Sequence, residues 1–179
     1  MKVRLLILPG LLLSVLSGCG YSAKALLPSH IKTISVAPFL NKIQTTGEVS
    51  EQQGFHIYRP GMEIKVTDAV TNRLLLDAGA RIEPQGKSDA EISGQLIDYE
   101  RQGLRFDAAF QIQEFRSVVT CRIKFQDLKK DKTFWDETFT GDSSAFSEGP
   151  RAQSEDQAIT NAIEDLAIRV AQRVATGDW

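Results

Sequence analysis

Few residues in this chain have the type and spacing that chemistry requires. The sulfur of Cys19 is one: a nucleophilic thiol that follows an apolar run, Leu5 to Leu16, and the small pair Ser17-Gly18. Cys121 is the only other cysteine. It shares an alternating run with Val119, Ile123 and Phe125, which places it as a small buried hydrophobe on a strand; an intermolecular disulfide is the remaining alternative. Neither histidine, His30 or His56, has a Cys, Asp or Glu at metal-ligand spacing, so both read as surface side chains. Gly-x-Ser-x-Gly, a phosphate-cradling glycine loop and His-Glu-x-x-His are all missing. Glu91, Asp98 and Glu100 fall on strand faces, and Asp127, Asp131 and Asp136 flank a turn. No catalytic residue, metal ligand or enzymatic activity is predicted. What remains is positive charge near strand ends: Arg101 and Arg105 at one loop, and Lys129, Lys130 and Lys132 at another turn. Such groups make charge-assisted hydrogen bonds to phosphate. The plainer reading of the lysines is a solvated turn.

The amino-terminal segment explains Cys19. Lys2 and Arg4 supply a positive start, the apolar run is about 12 residues, and a small-residue site follows. A spanning helix needs roughly 20 apolar residues, so this is a secretory signal over residues 1–18 rather than an anchor. Leu16-Ser17-Gly18-Cys19 resembles the bacterial lipobox. That resemblance implies cleavage before Cys19, a diacylglyceryl group on its sulfur and an N-acyl chain on its new amino group. These covalent lipids are the only non-protein groups expected; no cofactor is. Each buried methylene contributes about 0.8 kcal/mol, so two or three chains anchor lastingly. Gly20 stands where an Asp resembles an inner-membrane retention signal, which favours the outer membrane, on the periplasmic side.

The elements that must position the basic groups follow. Net charge is −2, which gives no support to nucleic acid as a partner. Residues 19–30 read as anchor and tether, and residues 31–179 as one domain. Ile31–Phe39 predicts a first strand with Ile34 and Val36 on one face, ended by Pro38. Residues 40–59 read as an irregular polar excursion. Gly61–Ala78 predicts a helix whose apolar side carries Val66, Val70 and Leu74, with Ala69 and Leu76 beside them. Arg81–Glu83 is a short strand. Ala90–Arg101 is a longer one, with Ile92, Gly94, Leu96 and Asp98 on one face and Ser93, Gln95, Ile97 and Tyr99 on the other. Residues 102–112 read as a hairpin loop with strand-like flanks, Gln113–Leu128 as a strand, 129–132 as a polar turn, Thr133–Thr140 as the last strand and 141–153 as a loop. Ser154-Glu155-Asp156-Gln157 matches a capping box, and Ile159, Ile163, Leu166 and Val170 lie on the apolar stripe of a final helix closed by Gly177. Two helices bracketing consecutive strands predict an α+β two-layer sandwich on a mostly antiparallel sheet.

Several stretches carry a family resemblance: Gly18-Cys19-Gly20-Tyr21, Ile34-Ser35-Val36-Ala37-Pro38-Phe39-Leu40-Asn41, Arg59-Pro60-Gly61-Met62-Glu63 and Ala90-Glu91-Ile92-Ser93-Gly94-Gln95-Leu96-Ile97-Asp98-Tyr99. Trp135 after a charged turn and an Ala-rich last helix complete the set. Together they resemble the lipopolysaccharide-assembly lipoprotein family, LptE, over essentially the whole mature chain. The resemblance implies two helices on a four-stranded sheet, no enzymatic activity, and a place as a plug inside the LptD outer-membrane β-barrel that handles lipopolysaccharide. Arg101, Arg105, Lys129, Lys130 and Lys132 are then candidate lipopolysaccharide contacts. The polar insert at 42–58 departs from the commonest pattern of the family. The Val-Ala-Pro-Phe-Leu-Asn strand also resembles periplasmic lipoproteins of the curli-secretion and penicillin-binding-protein-activator type. Those would make the chain a secretion subunit or an enzyme regulator.

Overall fold

The computed structural model describes residues 27–43, 55–56, 59–77 and 81–177. The signal segment 1–18, Cys19, most of the tether and most of the polar insert lie outside them.

Three long strands dominate. β5 (Ala90–Phe106), β6 (Ile112–Asp127) and β7 (Lys132–Phe146) form an antiparallel meander. On β6 the inward set is Phe115, Ser117, Val119, Cys121, Ile123, Phe125 and Asp127, all buried, while Arg122 stays exposed. Period-two burial of this kind is what a strand with one covered face requires. The free edge of β5 is covered in sequence order by three short strands. β1 (Thr33–Val36) and β2 (Leu40–Asn41) pair with it in parallel, and β3 (Phe55–His56) pairs antiparallel against Arg101 and Glu100. β4 (Arg81–Ile82) lies parallel to β1 at the outer edge. The sheet is therefore mixed and seven-stranded rather than four-stranded. Strands of two residues have no periodicity to betray them, and two of these arise inside the stretch expected to be irregular.

Two helices cover one face. α1 (Met62–Asp77) buries Met62, Val66, Val70 and Leu74, and α2 (Glu155–Thr176) buries nine residues including Ile159, Ile163, Leu166 and Val170. α2 lies across β7 and β6, and α1 packs beside it and over β1 and β4. Full burial of a side chain such as Leu166 contributes about 1.5–3 kcal/mol. Leu76 departs from its expected place: it is 76% exposed, because α1 touches neighbours along one narrow stripe. The Ser154 hydroxyl accepts from the Gln157 amide at 3.2 Å, as a cap should. The Gln157 side chain does not answer back; it donates forward to Asn161 at 3.0 Å, so half of the expected capping box forms. Gly177 ends α2 in the left-handed region (φ 74°).

Two further departures have one kind of cause, a local irregularity that alternation alone does not reveal. The β5–β6 register shifts between Leu96 and Asp98, so the expected face pattern fails there. Tyr99 is fully buried on the core side with Ile92 and Leu96 instead of on the opposite face. β5 also runs through residues 102–106, and β7 continues to Phe146 across the expected 141–153 loop. Gly141 is the reason β7 passes under α2. A Cβ there would stand 2.2 Å from the Ala162 carbonyl oxygen and 2.4 Å from the Leu166 nitrogen. The glycine marks a close helix–strand approach, not a loop.

Candidate functional site

The polar groups of interest collect at the two ends of the meander. One end holds the β6–β7 turn. Asp127, fully buried, closes β6 there; its Oδ1 accepts the backbone amides of Lys129 and Lys130 at 2.9 and 3.0 Å, and its Oδ2 lies 2.6 Å from His30 Nε2. Burial pushes the Asp127 carboxyl upward, but the His30 contact and the two amides outweigh it and hold the pKa below the ordinary range. Asp89 lies beside it. Lys129 Nζ reaches Asp89 Oδ1 at 2.6 Å, and the amides of Lys32 and Thr33 donate to Asp89 Oδ2 at 2.7 and 3.1 Å. The Lys129 ammonium and then the Lys32 amide hold this carboxyl well below the usual carboxylate range. Lys129 also donates to the His30 carbonyl at 3.4 Å. Residues 27–33 are thereby stitched to the β6–β7 turn, and Leu27 packs against the core. His30, expected as a surface side chain without a partner, is held instead by a carboxylate 97 positions away, a separation that no local spacing reveals.

The five basic residues divide. Lys129 is committed to Asp89, whereas Lys130 and Lys132 are exposed and form no ion pair with a described residue. Arg101 stacks over the Phe115 ring at 4.4 Å and stands 3.8 Å from Glu155. Glu155 also accepts from the Tyr99 hydroxyl at 2.9 Å and pairs with Arg59 at 2.9 Å. Burial pushes the Tyr99 phenol up to about 12. Arg105 pairs with Glu114 at 3.0 Å and lies over Phe146. In strand register Arg101 faces Ser117 and Arg105 faces Glu114, while the lysine turn follows Asp127. At about 3.3 Å per residue the arginines lie roughly 30–40 Å from the lysines. They are two groups, not one phosphate site. Next to Arg105, the β5–β6 hairpin exposes Leu104, Phe106 and Phe110, the last at 85%.

Cys121 is fully buried, and burial pushes its thiol up to about 12, which removes the nucleophilic thiolate at neutral pH. Among the described residues no three His, Cys, Asp or Glu side chains are grouped to hold a metal, and no helix is long and apolar enough to cross a membrane.

The fold has known counterparts. Uncharacterized lipoprotein B from Nitrosomonas europaea superposes with a TM-score of 0.54 at 12% identity, covering 87% of this chain and 88% of that one. A hypothetical protein from Chlamydia trachomatis gives 0.51 at 8% identity, covering 82% and 99%. At such identities these likenesses speak for the fold alone. No curated protein matches in sequence. The family model described as lipopolysaccharide-assembly, LptE, matches residues 31–176, from the first buried residue of the β1 segment to the last residue of α2. With the match spanning both helices and all seven strands among the described residues, this chain belongs to the LptE lipopolysaccharide-assembly family.

Proposed function

We propose that this protein is an outer-membrane lipoprotein, acylated at Cys19, that plugs and assists assembly of an LptD-like β-barrel during lipopolysaccharide transport, without catalysis of its own. The observation that carries this reading is the family match over residues 31–176. The sheet face away from the helices suits a plug. It is polar, with Thr120, Thr138 and Thr140 beside the bidentate Arg122–Asp136 pair at 2.8 and 3.1 Å. The lumen of a transmembrane barrel is polar too, so such a wall is solvated by that face rather than desolvated against it. Lipopolysaccharide joins phosphate to acyl chain. The hairpin end offers Arg101 and Arg105 beside exposed Leu104, Phe106 and Phe110, a pairing that fits an amphiphile.

Affinity purification of the mature protein from envelope membranes tests the partnership. Recovery of a large outer-membrane barrel is expected. Capture of only peptidoglycan enzymes or a secretion pore would replace this reading with the curli-secretion or enzyme-activator one. Mass spectrometry of the mature amino terminus tests the anchor; an unmodified Cys19, or cleavage elsewhere, removes it.

A further inference from the structure

The lipid-proximal end of the domain carries a second kind of contact. The first described residue, Leu27, lies at the end where the β6–β7 turn closes, because His30 is held by Asp127 and Lys129, and Lys32 by Asp89. Leu27 lies eight positions after Cys19 in the sequence. Fully extended, eight residues reach at most about 29 Å. If Cys19 is acylated, as proposed above, this end lies within that distance of the leaflet that holds the acyl chains, and the hairpin tip, roughly 50 Å further along β5, faces away.

The composition of the near end matches that position. Lys32, Lys130 and Lys132 are exposed and form no ion pair with a described residue, and Arg81, level with Thr33 in the sheet, stands 3.7 Å from Glu83 with its side chain 81% exposed. The acids of this end are engaged: Asp89 by Lys129, Asp127 by His30, Glu83 by Arg81, Glu91 by the Gln85 amide at 3.1 Å and Asp131 by the Gln126 amide at 2.9 Å. Asp131 remains solvent-facing and offsets one lysine. Leu128 is exposed between β6 and the lysines. The chain as a whole is acidic, with net charge −2, so this local positive excess is not general basicity.

We propose that the β6–β7 turn, with Lys32 and Arg81, docks on the anionic phospholipid headgroups of the leaflet that holds the lipid anchor. Charge complementarity and the short tether both point to that occupant. A lysine near an anionic membrane surface contributes about fivefold in partitioning. Several of them on a rigid turn set the angle at which the long sheet leaves the membrane, which a lone acyl tether cannot do.

The test uses the full mature chain carrying Cys19→Ser, so that no acyl chain contributes. Flotation with phosphatidylethanolamine–phosphatidylglycerol vesicles is compared with phosphatidylcholine vesicles and with phosphatidylethanolamine vesicles carrying lipid A. Binding is expected on the phosphatidylglycerol vesicles and not on phosphatidylcholine. It should be lost at about 0.5 M salt, where screening is short-ranged. Lys130→Glu with Lys132→Glu should weaken binding at least about tenfold, while Lys65→Glu, on α1 beside Asp156, leaves it unchanged. No binding to phosphatidylglycerol vesicles, or equal binding by the lysine variant, overturns the proposal. Binding confined to lipid A vesicles also overturns it and returns the lysines to lipopolysaccharide. None of these outcomes depends on lipidation or on the barrel, which the experiments of the preceding subsection read separately.

Discussion

The two ends of the β5–β6–β7 meander are held by different physics. At the end where residues 27–33 enter the sheet, side chains from three distant segments converge: His30 meets Asp127 and Lys129 meets Asp89, both at 2.6 Å, and Asp127 is fully buried. At the hairpin tip the bonds are local. Asp107 Oδ1 accepts the amides of Ala109 and Gln111, both at 2.8 Å, and its own amide donates to the Gln111 carbonyl. This small turn holds Phe110 at φ 58°, a conformation bulky side chains rarely take, and leaves its ring in solvent. The first end spends buried charge to fix where the chain enters the domain. The second accepts backbone strain and an exposed aromatic ring that the isolated fold does not use. Stability belongs to the first and to the helix-covered middle; contact surface belongs to the second.

Substitutions grade that contrast. Leu166→Ala, in the middle of the sheet where α2 docks, should cost roughly 2–5 kcal/mol in denaturant unfolding. A melt left unchanged would mean that α2 is docked otherwise. Gly141→Ala forces a Cβ into the α2 backbone and should cost about 1–3 kcal/mol by the same assay, although it removes no contact. Asp127→Ala strands two backbone amides and the His30 ring, and a loss of about 1–3 kcal/mol is expected. Hydrogen exchange should then accelerate across residues 27–33, and unaltered protection there would show that the stitching lies elsewhere.

The pH response tests the end held by Asp89 and Asp127. Asp89 and Asp127 both have folded pKa values below the unfolded value of 3.8. Their contribution is complete above that value and disappears as pH falls through the folded values. Acid titration followed by exchange of individual amides should therefore release residues 30–33 and the β6–β7 turn as pH falls through those values, and unaltered protection there would show that neither carboxylate holds them. Phe110→Gly should have the smallest effect, a gain of up to about 1 kcal/mol from relief of the left-handed backbone. A substantial loss would mean that the ring is packed after all.

Most of the architecture was legible in the sequence where a long period repeats. β6 reads as a strand because Val119, Cys121, Ile123 and Phe125 alternate, and α2 reads as a helix because Ala162, Ile163, Leu166 and Val170 recur on one stripe above a Ser154 cap. The family was legible as well, since order and spacing of short motifs survive where single residues do not, and the match over 31–176 confirms it. The candidate site was legible only as composition. Five basic residues stand in the sequence without a statement of which are already paired.

Sequence alone determined the elements whose stabilising pattern is local: periodic burial along the long strands and helices, and the Ser154 and Gly177 caps of α2. Tertiary structure decided what depends on residues far apart in the chain. It turned Tyr99 inward through a bulge, carried β7 beneath α2 at Gly141, and covered the edge of β5 with strands of two residues. It also joined His30 to Asp127 and Lys129 to Asp89, and so set the lysine turn and the hairpin arginines at opposite ends. The physical reason is range. Backbone periodicity acts over a few residues, whereas a salt bridge or a close helix–strand approach has no local pattern and exists only once the chain has brought its partners together.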